Sequence, residues 1–131
     1  MMLILTIRTD NPDAEIGLFD GETQLAYEKW QAHRELSITI HKKIEETLAS
    51  HNKKLPDLNG IVCFKGPGSF TGLRIGLTVA NTLAYSLNIP ILGTMGDNWQ
   101  SDGIKDLESG KNEKIIMPEY GADPHITVQK K

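Results

Sequence analysis

The sequence predicts an α/β domain built on a mixed five-stranded sheet, in which an antiparallel meander leads into two αβ units. Three observations predict it. Short β-rich runs separated by tight-turn residues fill the first thirty or so positions. An apolar repeat of every fourth residue then takes over. After it, an all-apolar run, a glycine turn, a helical stretch and a second short apolar run follow in the order of a βαβ crossover, which requires parallel strands.

Leu3-Ile4-Leu5-Thr6-Ile7 is the first strand, closed by the turn-forming Thr9-Asp10-Asn11-Pro12-Asp13. Ile16 to Phe19 is the second. Asp20-Gly21 follows it, a dipeptide suited to a tight hairpin because glycine accepts positive φ without a Cβ clash. Leu25, Tyr27 and Lys29 alternate with Ala26, Glu28 and Trp30 in the third strand. Leu36, Ile40, Ile44 and Leu48, with charged residues between them, place an amphipathic helix over His33 to Ser50. Pro56 forbids its continuation. Ile61-Val62-Cys63-Phe64 has the length of a strand covered on both faces. A second helix runs from Thr71 to Leu87, stops at Asn88-Ile89-Pro90, and gives way to a strand from Ile91 to Thr94. From Asp97 to Lys114 the composition turns polar and reads as a loop excursion. Beyond it, Ile115-Ile116-Met117 and Ile126-Thr127-Val128 are two apolar islands expected to dock back on the domain. The organisation is thus a lobe over residues 1–94, followed by a polar excursion and tail over 95–131.

The chain has 131 residues, enough for one ordinary domain. With 39% hydrophobic and 24% charged residues it has the balance of a globular protein rather than a disordered one. Its 14 basic and 17 acidic residues give a net charge of −3, the wrong sign for a protein whose main task is gripping phosphate backbones. The single cysteine, Cys63, has no partner for a disulfide. The apolar opening run is far shorter than the ~20 residues of a membrane span. No membrane association is expected, and a reducing, cytoplasmic compartment is.

The second helix carries the most information. On a helical wheel, Arg74, Thr78, Asn81, Thr82 and Tyr85 share a polar arc, and apolar or small residues occupy most of the rest. An ordinary surface helix needs only about 100° of apolar stripe. This one has nearly twice that, which predicts cover from two sides: the sheet, and either the first helix or another chain. Gly72, Gly76, Ala80 and Ala84 stand four apart and form a low ridge that lets a neighbouring backbone approach. Gly76 either serves that approach or packs on the chain's own sheet.

Gly66, Gly68 and Gly72 follow a strand and open this helix, a place where backbone N–H groups favour anions. Their spacing fits neither G-x-G-x-x-G nor the P-loop, since Leu73-Arg74 stands where Lys and Ser or Thr would be. A structural turn and a phosphate site are both open on spacing alone. Ser69 or Thr71 is expected to cap the helix.

The block Gly66-Pro67-Gly68-Ser69-Phe70-Thr71-Gly72-Leu73-Arg74-Ile75-Gly76 resembles the signature of the bacterial TsaB (YeaZ) family. The likeness runs from the first strand through Ile89-Pro90-Ile91-Leu92-Gly93, and His33-Arg34-Glu35-Leu36-Ser37 resembles the start of that family's first helix. The resemblance implies an actin-like, ribonuclease-H-like fold and a part in making threonylcarbamoyladenosine (t6A) in tRNA. It further implies a non-catalytic subunit that pairs with the catalytic TsaD through its two helices, beside a TsaE ATPase, and meets tRNA only through that complex. Arg8-Thr9 stands where relatives carry Asp-Thr. The polar excursion stands where they carry a second subdomain, and Met117-Pro118-Glu119-Tyr120 resembles their C-terminal end.

No catalytic machinery is expected. The Ile61–Lys65 run contributes no carboxylate for a metal, and Arg8 occupies the first-strand position. His33, His41, His51 and His125 lack metal-ligand spacing, and Ser69 does not sit in a nucleophile elbow. Neither cofactor nor metal is expected. The expected docking surface for a TsaD-like partner comprises Leu36, Ile40 and Ile44 with Arg74, Thr78, Asn81, Thr82 and Tyr85, and the same helices could pair two copies into a homodimer. The alternatives are a small nucleotide- or phosphate-binding enzyme using the glycine turn, and a homodimer without a tRNA role.

Overall fold

The computed structural model describes residues 2–68 and 70–119. Ser69, expected as a helix cap, lies outside the described residues, as do His125 and the island Ile126–Val128. The five strands are β1 (Leu3–Arg8), β2 (Asp13–Asp20), β3 (Thr23–Gln31), β4 (Gly60–Phe64) and β5 (Ile91–Thr94). The helices are α1 (Leu36–Ala49), α2 (Phe70–Leu87) and α3 (Trp99–Glu108).

The sheet order is β3-β2-β1-β4-β5, with the meander antiparallel and the β1–β4 and β4–β5 pairs parallel. Every residue of β4, and β1 from Leu3 to Ile7, is buried, as two-sided cover demands of central strands. α1 lies over β2 and β3, and α2 over β1, β4 and β5. The far face of β4 and β5 belongs to α3.

α3 corrects the expectation of a loop over Asp97 to Lys114. Trp99, Gly103, Ile104 and Leu107 recur at helical spacing, and all four are buried. Gly103 sits directly on Val62, where a Cβ would clash. Trp99 meets Phe64 edge-to-face with ring centroids 5.9 Å apart. Gln100 donates to the buried Thr6 hydroxyl at 3.1 Å. So few apolar residues suffice because the helix is only ten residues long and needs one narrow stripe.

α2 ends as its sequence dictates. Asn88 takes the left-handed φ of 56°, the Ile89 N–H turns back to the Ala84 carbonyl at 3.0 Å, and Pro90 forbids another turn.

Candidate partner-docking site

The surroundings of α2 decide what its broad apolar arc is for. Leu73, Gly76, Ala80 and Ala84 are buried against the sheet. Leu83 faces α1, sharing a small cleft with His41, Ile44 and Glu45. On the opposite flank Leu77 and Asn81 meet Ile116, Met117 and Pro118 of the returning chain. The second cover is therefore supplied by this chain itself, from α1 on one side and residues 116–118 on the other. Of the two expected sources of that cover, the first helix is the one used, and residues 116–118 add a third.

The ridge of small residues has the same explanation. A Cβ at Gly76 would strike the Thr9 side chain, and the Thr9 hydroxyl donates to the Gly72 carbonyl at 2.6 Å. The close approach that glycine allows is between α2 and the end of β1. Gly68 is filled in the same way by Asp10, whose Cβ stands where a Gly68 side chain would go. Gly66 has a φ of 127°, and a side chain on it would collide with the Glu119 carbonyl. The space around the glycine turn is thus taken by Thr9, Asp10 and the Glu119 backbone.

Arg8, at the end of β1, is engaged from two sides. Its Nε donates to Asp10 Oδ1 at 2.7 Å and its Nη2 to Oδ2 at 3.1 Å, while the guanidinium lies 3.9 Å from the centre of the Phe64 ring. The hydrogen bond to Asp10 raises the Arg8 pKa, so the group stays cationic. The buried Cys63 thiol is pushed up by desolvation and is no nucleophile at neutral pH. Among the described residues no three His, Cys, Asp or Glu side chains gather to hold a metal ion, and no helix is long and apolar enough to cross a membrane.

The residues expected to form the docking surface divide into three groups. Leu36, Ile40 and Ile44 are 5%, 0% and 1% exposed. They are core residues, corrected from surface to interior, because the same repeat that makes α1 amphipathic is what roots it on β2 and β3. Asn81 is half-buried and bonded to the Ile116 backbone through both amide atoms. Arg74, Thr78, Thr82 and Tyr85 are exposed and share one strip along α2, with Tyr85 at 89%. The Asn81–Ile116 clamp was beyond sequence reasoning, although the island Ile115–Met117 signalled that the chain returns there.

Comparison with known proteins matches this architecture. The family model described as TsaD, tRNA N6-adenosine threonylcarbamoyltransferase, matches residues 30–95. The TsaB protein of Bacillus subtilis, described as a tRNA threonylcarbamoyladenosine biosynthesis protein, is 40% identical over 90 residues, covering 69% of this chain and 39% of the relative. The Escherichia coli TsaB protein is 32% identical over 109 residues, covering 78% and 46%. The solved structure of YeaZ from Pseudomonas aeruginosa superposes with a TM-score of 0.65 at 25% identity, covering 72% of this chain and 44% of that one. The chain spans less than half the length of these relatives. The matched region holds α1, the glycine turn and α2, the elements that set the geometry above. By that model the chain belongs to the TsaD tRNA N6-adenosine threonylcarbamoyltransferase family, and by its relatives to the TsaB (YeaZ) proteins within that likeness.

Proposed function

We propose that this chain is a non-catalytic subunit in the synthesis of t6A on tRNA, supporting a TsaD-like catalytic partner by docking through α2. The relatives named for t6A biosynthesis support the process. The observation that carries the docking is the strip Arg74, Thr78, Thr82 and Tyr85, with a large aromatic side chain 89% exposed at its end. Tyrosine gives a rigid apolar contact with a polar tip and is enriched where interfaces derive their strength. A TsaE-like ATPase joins the assembled complex, tRNA is met only through that complex, and the setting is cytoplasmic. In the absence of TsaD the same strip pairs two copies.

Asn81→Arg is a poor probe of this docking, because it also breaks the clamp on Ile116. Tyr85→Arg touches only the exposed strip. Co-purification of the cognate TsaD with wild type and with Tyr85→Arg is the test, read beside t6A formation in the reconstituted reaction. The expected result is about thirtyfold weaker capture, corresponding to a hot spot of about 2 kcal/mol, with an unchanged circular dichroism spectrum. Undiminished capture by Tyr85→Arg overturns the proposal.

A further inference from the structure

Residues 111–119 run from the end of α3 past β5 and onto α2, and their contacts are those of a bound peptide. Asn81 on α2 addresses a single backbone residue with both ends of its amide. Nδ2 donates to the Ile116 carbonyl at 3.0 Å, and Oδ1 accepts from the Ile116 N–H at 2.9 Å. That is the exchange a hydrogen-bonded neighbour makes across an antiparallel ladder. The Ile116 side chain is 2% exposed and lies over Gly93, where an added Cβ would come 3.1 Å from Ile116 Cγ2. Nearer α3, the segment binds β5: the Ile91 N–H donates to Asn112 Oδ1 at 3.0 Å, the Gly93 N–H to Glu113 Oε1 at 2.7 Å, and the Glu113 N–H to the Ile91 carbonyl at 2.9 Å. At the far end the Glu119 N–H donates to the Lys65 carbonyl at 2.7 Å. Ile115 and Met117, on either side of the anchor, are 68% and 70% exposed. One buried anchor between outward neighbours, with backbone bonds along the length, is how a groove holds an extended segment.

We infer that the groove between α2 and β5 is an extended-peptide site, filled in cis by residues 111–119, and that its occupant in trans is the same segment of a second copy. The fit of Asn81 and Gly93 to that segment is the reason for this choice of occupant. The segment leaves α3 through Ser109-Gly110-Lys111, where Gly110 has a φ of 97° and nothing within 4 Å of a would-be Cβ, so this joint has room to re-aim the chain. The tether holds the segment at an effective concentration of about 1 mM, so cis occupancy wins until the chain's own anchor is damaged. The site lies on the flank of α2 beside the exposed strip, and its test does not depend on docking of a catalytic partner.

The experiment titrates a fluorescent synthetic peptide of residues 111–119 into three full-length proteins: wild type, Ile116→Asp, and Ile116→Asp with Asn81→Ala. Ile116→Asp should bind the peptide at least tenfold more tightly than wild type, because its groove has lost its resident. Removing Asn81 as well should weaken that binding about tenfold, as loss of a two-bond contact does. Equal binding by all three overturns the inference, as does no binding by an Ile116→Asp protein whose circular dichroism matches wild type. Ile116→Ala replaces Ile116→Asp should the latter fail to fold. Hydrogen exchange on full-length Asn81→Ala gives an independent reading: exchange at Ile116 and Gly93 should rise about tenfold with β1 unchanged. Unaltered protection there also overturns it.

Discussion

The two edges of the sheet are protected in opposite ways. β3 is nine residues long and mostly exposed. Its defences are charge and irregularity: Glu28 and Lys29 stand on it, Lys43 of α1 reaches Glu28 at 3.8 Å, and the β2–β3 register shifts between Leu18 and Phe19. Lysine and bulges are common means of blunting an open edge. β5 is four residues long, and Ile91 and Leu92 are 0% and 5% exposed. It is protected by covering, with α3 on one face and residues 111–119 along its side. One edge repels intruders, and the other is already taken. The cost of changes should therefore be concentrated on the β5 side.

Trp99→Ala tests that most strongly. It removes a buried ring packed on Phe64 and should cost about 3–5 kcal/mol, read as a lower urea midpoint. At the β3 side, Tyr27 donates to Glu15 Oε1 at 2.7 Å, and its pKa is pushed up to about 12 by desolvation and then by that bond. The folded state thus favours the neutral phenol. Its contribution is complete below the ordinary tyrosine value of about 10 and is lost as pH rises toward 12. Tyr27→Phe should flatten the fall in stability across that alkaline window and lose, at neutral pH, only the modest contribution of one exposed hydrogen bond, about 0.5–1 kcal/mol. Smallest of all, Lys43→Ala breaks a partly exposed pair and should shift stability by about 0.5 kcal/mol or less. Comparable losses from Tyr27→Phe or Lys43→Ala and from Trp99→Ala would break the contrast.

The same divide separates what was legible from what was not. Through Thr94 each element carries its own period: alternation in β3, fourfold spacing in α1, unbroken apolarity in β4. The five strands and first two helices follow from those local patterns. α3 hid because its stripe of Trp99, Gly103, Ile104 and Leu107 contains a glycine and is surrounded by polar residues. A tertiary contact, Gly103 on Val62, makes that glycine an asset rather than a helix breaker. In the candidate site, the exposure of Tyr85 could be read from the wheel. The burial of Leu36, Ile40 and Ile44 was equally implied by α1's repeat, but a repeat does not say whose interior it fills. Nor could spacing reveal that Asn81 bonds a residue 35 positions away.

The Asn81 clamp has a consequence for the order in which the molecule assembles. Its receptor consists of α2 and β5, which must stand side by side before residue 116 has anything to hold. The closing segment should therefore join last, after the rate-limiting crossing. Weakening it should hasten unfolding while leaving the speed of folding almost untouched.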